Sequence, residues 1–468
     1  MGRGCSYLRC VGLGRKLAPS GRPARANPDC VGACPWHPMV MLATVGLVLA
    51  MVPGAQATWS IVIADSETKE IAVGTVTCLT NYDLLAIVPV VVVGKGGAAC
   101  QSSGDFDGIR RPVIWEHLIL GTPPEEILEI LAEISGHQSR QYGIADTLGR
   151  MVTFTGSSCG QWAGGMVGTD GSMVYAIQGN VLAGECVVTA IEEAILTTTG
   201  DVPEKLMAGM WAAFVNGGDG RCSCSPYQPT SCGCPPEEFE KSGHIGGMVV
   251  ARIGDIDDPL CDAGGCADGD YFMRLNVAFQ NSNQPDPVIQ LLWQFEQWRV
   301  EVMGRPDAIQ SIVEFDPETI PPNGTATTTM HITLLDWGGQ PIYVELQDVV
   351  VEHGPESDGI SSIGEVIDHG DGTFSVEITA GTSPGSDRFR VTVDDGIRPV
   401  VLMPDATLRY FPLGDLNQDG CVDQADLGIL LTDWDCTGGN CAGDADGDGD
   451  TDHSDLGLLL AHWGEGCP

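Results

Sequence analysis

The chain has 468 residues, is 43% hydrophobic and only 6% aromatic, and carries a formal net charge of −40. That length suffices for two or more hydrophobic cores. The acidity excludes nucleic acid and anionic lipid surfaces as main partners, because both repel such a chain.

The first predicted element is a leader. Met39 to Val52 is apolar, short for a membrane span and not followed by stop-transfer charges. After Pro53-Gly54 comes Ala55-Gln56-Ala57, with small residues where a signal peptidase reads the chain. Residues 1–57 therefore read as leader and signal peptide, with Met39 or Met41 as alternative starts and a retained anchor as the rival reading. Their removal takes away six basic residues and one acidic residue. It leaves 17 Lys/Arg against 62 Asp/Glu, a net charge of −45, and 14 of the 18 cysteines. The expected location is secreted or cell surface, with no stable membrane span after leader removal and disulfides as the default state of the thiols.

Segment 58–302 mixes strands and helices. Thr58–Ala64 reads as a strand that turns through 65–70 and pairs back with Ile71–Thr77. Val88–Val93 is β-rich, Pro124–Ile134 has helical spacing with acidic residues in its first turn, and Tyr142–Phe154 reads as a hairpin. Helices follow at Val187–Thr197 and Val202–Val215, then strands at Met248–Ile253 and Tyr271–Phe279. Helices over a sheet give an α+β class. Cys222-Ser-Cys224 and Cys232-Gly-Cys234 are poor zinc hooks and read as disulfides of an inserted loop. The Asp-rich stretch around Cys261 and Cys266 reads as a stapled loop, with a cation site as the alternative.

Segment 306–412 shows only short β runs separated by Gly, Pro and Asp-Gly turns: 310–315, 325–335, 342–351, 374–378 and 388–393. This fits an Ig-like β-sandwich serving as a spacer, or alternatively as a carbohydrate-binding module.

Segment 414–468 repeats an acidic loop at an offset of 29 residues. Asp415, Asn417, Asp419, Asp423 and Asp426 stand at positions 1, 3, 5, 9 and 12 of the first loop. Asp444, Asp446, Asp448, Asp452 and Asp455 repeat them, with Gly420 and Gly449 at position 6. Hard oxygen ligands at this spacing suit Ca²⁺. Each loop feeds an Asp-Leu-Gly-x-Leu-Leu helix. These residues resemble a type I dockerin, a small α-helical calcium-binding domain. The resemblance implies a cohesin-like protein or extracellular scaffold as partner, although Leu427, Gly428, Leu430 and Leu431, and their repeats Leu456, Gly457, Leu459 and Leu460, replace many polar recognition residues. Cys421 with Cys467, and Cys436 with Cys441, are candidate staples.

Cleavage after Ala57 would make Thr58 the first residue, with its hydroxyl beside its own α-amine as base. The same threonine also suits an ordinary first strand. Asn180, read as lying in a turn after a strand ending near Ile177, is an oxyanion donor or a turn-stabilising amide. Asp219 and Arg221, set among glycines, orient the amine, hold a carboxylate, or form a plain ion pair. Gln101 and Asp107 are further candidates, and Cys159 reads as a disulfide or buried thiol. The motifs Thr58-Trp-Ser-Ile-Val-Ile-Ala-Asp65, Arg140-Gln-Tyr-Gly-Ile-Ala-Asp146, Tyr175-Ala-Ile-Gln-Gly-Asn180 and Gly217-Gly-Asp-Gly-Arg221 resemble the domain of unknown function 1028 family. That resemblance implies a four-layer αββα sandwich of the Ntn-hydrolase type and leaves the substrate open.

The combined expectation is a secreted hydrolase of amide-type bonds acting through an N-terminal threonine and tethered by its C-terminal domain. The alternatives are a non-catalytic extracellular structural or interaction module, and an accessory protein in polysaccharide degradation.

Overall fold

In the computed structural model, the described residues are 57–343, 348–438, 441–446 and 448–467. The leader before residue 57, and part of the expected strand 342–351, lie outside them.

Ten strands form two sheets in the first unit: β1 (Thr58–Asp65), β2 (Ile71–Thr77), β3 (Pro89–Val92), β4 (Gly96–Ser102), β5 (Arg140–Asp146), β6 (Met151–Thr155), β7 (Ala163–Asp170), β8 (Met173–Asn180), β9 (Ile245–Ala251) and β10 (Met273–Val277). One sheet has the order β10-β9-β2-β1-β8-β7 and the other β3-β4-β5-β6. The helices are α1 (Arg110–Ile119), α2 (Pro124–Ala132), α3 (Cys186–Thr197), α4 (Val202–Val215), α5 (Gly220–Ser223) and α6 (Pro287–Val302).

Alternation along the strands builds the layers. Trp59, Ile61 and Ile63 of β1 pack on one side with α3, α4 and α6. Val62 and Ala64 face the other way and meet Val91, Ala99 and Ala145 of the second sheet. The second sheet's outer residues, Val90, Val92, Tyr142 and Ile144, pack on α1 and α2. The order is helices, sheet, sheet, helices, and the α+β class holds.

Nine further strands follow: β11 (Ile312–Asp316), β12 (Thr319–Ile320), β13 (Thr327–Thr333), β14 (Asp348–His353), β15 (Ser362–Asp368), β16 (Thr373–Thr379), β17 (Gly385–Asp394), β18 (Pro399–Val401) and β19 (Ala406–Tyr410). They form sheets β11-β13-β16-β15 and β12-β19-β17-β14, with β18 beside β17. Met330, Ile332, Val376 and Ile378 from one sheet, and Phe389, Val391, Leu408 and Tyr410 from the other, fill the core between them.

A buried arginine joins the sandwich to the first unit. Arg252 meets Glu70 at 2.7 Å, Asp201 at 3.2 Å and Asp307 at 2.7 Å, all of them buried. Trp337 donates from Nε1 to Asp201 at 2.9 Å and packs edge-on against Trp298.

The C-terminal segment holds α7 (Gln424–Thr432) and α8 (His453–Ala461), packed through Val422, Leu430 and Leu459. Both expected staples form, Cys421–Cys467 and Cys436–Cys441. The cysteine-rich loop forms Cys78–Cys222, Cys224–Cys232 and Cys186–Cys234, and the Asp-rich loop is stapled by Cys261–Cys266.

Candidate functional site at the open end of the large sheet

The start of β1 lies between β2 and β8, so Thr58 stands opposite both Thr77 and Asn180. Asn180 is thus the last residue of a strand and not part of a turn, which corrects the sequence expectation. Its Oδ1 accepts from the Thr58 amide at 3.2 Å, and its Nδ2 donates to the Cys159 carbonyl at 2.9 Å. One N–H of the side chain that was to steady an oxyanion thus points at a backbone carbonyl.

Val181, next in the chain, has φ of 55°, a rare conformation for a β-branched residue. The chain turns there, and the Val181 carbonyl accepts from the Gly220 amide at 3.0 Å. This brings the 217–221 loop against the strand end. Asp219, fully buried, accepts from Arg221 Nε at 3.1 Å, Arg221 Nη2 at 2.8 Å and the Cys78 amide at 2.7 Å. Arg221 Nη2 in turn donates to the Ala57 carbonyl at 3.0 Å, and the Thr77 hydroxyl donates to the same oxygen.

All four sequence candidates, Thr58, Asn180, Asp219 and Arg221, therefore gather around the Ala57–Thr58 peptide unit. Gln101 joins them by donating from Nε2 to the Thr58 carbonyl at 2.8 Å. Asp107 does not. It is exposed and pairs with buried Arg110. Thr77, Gln141 and Gln178 were missed. Gln141 bonds Gln101 and the Gly179 carbonyl, while both amide atoms of buried Gln178 lack a partner. The period-2 pairing of Thr58 with Thr77 was the signal available for the first of them. Cys159 is a buried free thiol, and burial raises its pKa, so it is a poor nucleophile.

In the uncut chain the Ala57–Thr58 unit is covered. Thr58 is 3% exposed and Ala57 and Asn180 are 0% exposed. There the Thr58 nitrogen is bonded to Ala57 and donates to Asn180 Oδ1.

In the acidic repeat, Asp423 and Asp452 are N-caps of α7 and α8, and each forms a capping box with Asp426 or Asp455. Asp415 accepts from the Asp419 and Gly420 amides at 3.1 and 2.8 Å. Asp444, Asp446 and Asp455 bring carboxylate oxygens within 4.8 Å of one another, as do Asp450, Asp452 and Asp455. These clusters offer a divalent metal its oxygen ligands. In the 255–270 loop the carboxylates take other partners: Asp255 bonds Arg398, Asp257 the Val93 amide, and Asp268 Arg274.

Residues 58–227 match the family model described as a family of unknown function, DUF1028, and residues 307–401 match Invasin, domain 3. No curated protein matches the chain. A crystal structure of a DUF1028 protein from Silicibacter pomeroyi is 20% identical, with a TM-score of 0.36, covering 52% of this chain and 88% of that one. The Yersinia pseudotuberculosis adhesin InvE is 21% identical over 22% of this chain and 26% of its own, with a TM-score of 0.16. The Escherichia coli adhesin FdeC is 10% identical over 76% and 63%, with a TM-score of 0.19. Overlaps at TM-scores this low carry no argument about activity.

Two expectations are corrected. What matches C-terminal to the first unit is an invasin-type domain, not a dockerin, and the cohesin partner falls with it. The acidic repeat misled because its spacing specifies cation chemistry, not a protein partner. The amide-hydrolase reading also falls. The matched family is described as one of unknown function, and the second matched domain is of adhesin type. Six disulfides beside an invasin-type domain place the protein outside the cytoplasm. Among the described residues, no helix is long and apolar enough to cross a membrane.

Proposed function

We propose that this chain is a non-catalytic extracellular interaction protein, in which a DUF1028-type unit is carried rigidly on an adhesin-type sandwich. The observation that carries this reading is the invasin-type match over 307–401, within a two-sheet sandwich joined to the first unit at Arg252. A buried arginine shared by Asp201 and Asp307 suits a protein that presents a surface and holds its shape. The layer order of the first unit supports an Ntn-hydrolase-like sandwich as a description of fold alone.

The acidic repeat is assigned to Ca²⁺, with Asp415, Asn417, Asp419, Asp423 and Asp426 at one site and Asp444, Asp446, Asp448, Asp452 and Asp455 at the other. The donor set fits. It is all oxygen, and residues 414–468 contain 13 acidic side chains and no Lys or Arg, so a bound cation would offset the repulsion among them. The ion's role here is charge neutralisation that holds α7 against α8.

The test is adsorption of the purified, disulfide-intact chain to cell-surface and extracellular-matrix preparations. Saturable binding that weakens in chelator supports the proposal. Binding no stronger than to blocked plastic, in the presence of Ca²⁺, overturns it.

A further inference from the structure

We infer that Arg221 and Thr77 form a socket for a small carboxylate, filled by the Ala57 carbonyl in the uncut chain and vacated when residues through Ala57 are removed. The inference rests on that cut and is independent of what the sandwich binds.

Two donors converge on one oxygen: Arg221 Nη2 at 3.0 Å and the Thr77 hydroxyl. The guanidinium is held in place by fully buried Asp219, which accepts from both its Nε and its Nη2. Asp219 is itself fixed by the Cys78 amide, and the Cys78–Cys222 disulfide ties the strand end to the loop. The socket is therefore rigid before any ligand arrives. The Arg221 side chain keeps 18% of its surface exposed, so solvent reaches the site's edge.

Ala57 is fully buried, so an export peptidase must cut the Ala57–Thr58 bond before the chain folds. In that hydrolysis the water oxygen goes to the Ala57 carboxylate, and Thr58 keeps a protonated amine. Folding of the cut chain then leaves Arg221 Nη2 and Thr77 Oγ1 without their acceptor. It also places the Thr58 ammonium at Asn180 Oδ1, where its amide nitrogen already lies. The local charge becomes +1 from Arg221, −1 from Asp219 and +1 from the ammonium. A monocarboxylate neutralises it and restores both hydrogen bonds. Removal of an alanine admits only a small terminal group. Two sources share that chemistry: a free short-chain acid, and the C-terminus of a peptide ending in alanine.

The experiment uses the secreted chain with its N-terminus read by mass spectrometry. Calorimetric titrations use acetate, the tripeptide Ala-Gln-Ala, and the same tripeptide amidated. The inference expects a chain starting at Thr58, binding of at least one acid, and no binding of the amide. Acetate alone points to a free acid, and the tripeptide alone to a peptide C-terminus. Thr77→Val, which keeps shape and β-propensity, should weaken binding at least tenfold with the melting transition retained, and Arg221→Gln should abolish it. A mature start upstream of Thr58, failure of both acids to bind, equal binding of acid and amide, or an unchanged affinity in Thr77→Val overturns the inference.

Discussion

Arg252→Met removes the cation that Glu70, Asp201 and Asp307 share at the junction. The side chain is 4% exposed and stands within 3.2 Å of three carboxylates, Glu70, Asp201 and Asp307. Its guanidinium also lies 3.5 Å from the centre of the Phe272 ring. Methionine fills similar volume but leaves three buried carboxylates without a cation. Breaking a buried pair in this way costs about 3–5 kcal/mol, and loss of the cation–π contact adds roughly 1–2. At 2–4 °C per kcal/mol, the lower figure alone lowers the melting point by about 6–12 °C. The three carboxylates compete for one charge, and the two sides respond differently. Their proximity holds the guanidinium proton more tightly. Burial, with help from Asp201 and Asp307, pushes the Glu70 carboxyl up to about 7, despite Arg252. A mutant without the cation relieves itself by taking up protons, so its deficit must shrink at pH 5. Urea unfolding at pH 7 and pH 5 measures both values. A deficit under about 1 kcal/mol at pH 7, or one that grows on acidification, refutes the reasoning.

Other consequences are as direct. In the wild type, Glu70 carries a folded pKa near 7 against 4.5 in the open chain. Its contribution is therefore full below pH 4.5 and fades as pH rises through 7, by up to roughly 3 kcal/mol, and Glu70→Gln should flatten that slope in urea titrations. The Cys421–Cys467 bridge closes a separation of 46 residues and Cys436–Cys441 one of 5. Removing the first should destabilise the C-terminal segment by about 4 kcal/mol and the second by about 2, read from its denaturant midpoint. Chelation should loosen the same segment. Ca²⁺ at a hundredfold above its Kd stabilises it by about 2.7 kcal/mol for each of the two sites, and Asp455→Asn should remove about half of the calcium-dependent shift. A Cβ at Gly143 would stand 2.6 Å from Gln178 Cδ, so Gly143→Ala should cost about 1–3 kcal/mol in a thermal melt.

The elements legible in the sequence are those whose own residues carry the period. The β1–β2 hairpin alternates between two cores, and Val202–Val215 forms one helix over its expected span. β4 and β7 escaped notice because packing imposes them on small residues. Gly96 and Gly97 lie against Leu118 and Ile71, and Gly168 makes room for the Tyr175 ring. The helix α1 opens with Arg110-Arg111-Pro112 and lacks acidic residues in its first turn, so it carried no start signal. At the candidate site, Thr58, Asn180, Asp219 and Arg221 were read from family-like motifs, and the fold does bring them together. No sequence pattern reveals that Ala57 and Thr58 are buried in the uncut chain or that Asn180 donates to the Cys159 carbonyl. The Arg252 junction was invisible for a plain reason. Its partners at 70, 201 and 307 come from separate elements, and only the folded chain makes them neighbours.

The central claim is that the protein works by binding and not by turnover. The most direct measurement follows product formation across peptide, amide and glycan substrates, together with surface binding, on one preparation of the wild type and of Thr58→Ala. The account predicts superimposable binding curves and no product from either protein. Product formed by the wild type and absent from Thr58→Ala would contradict it.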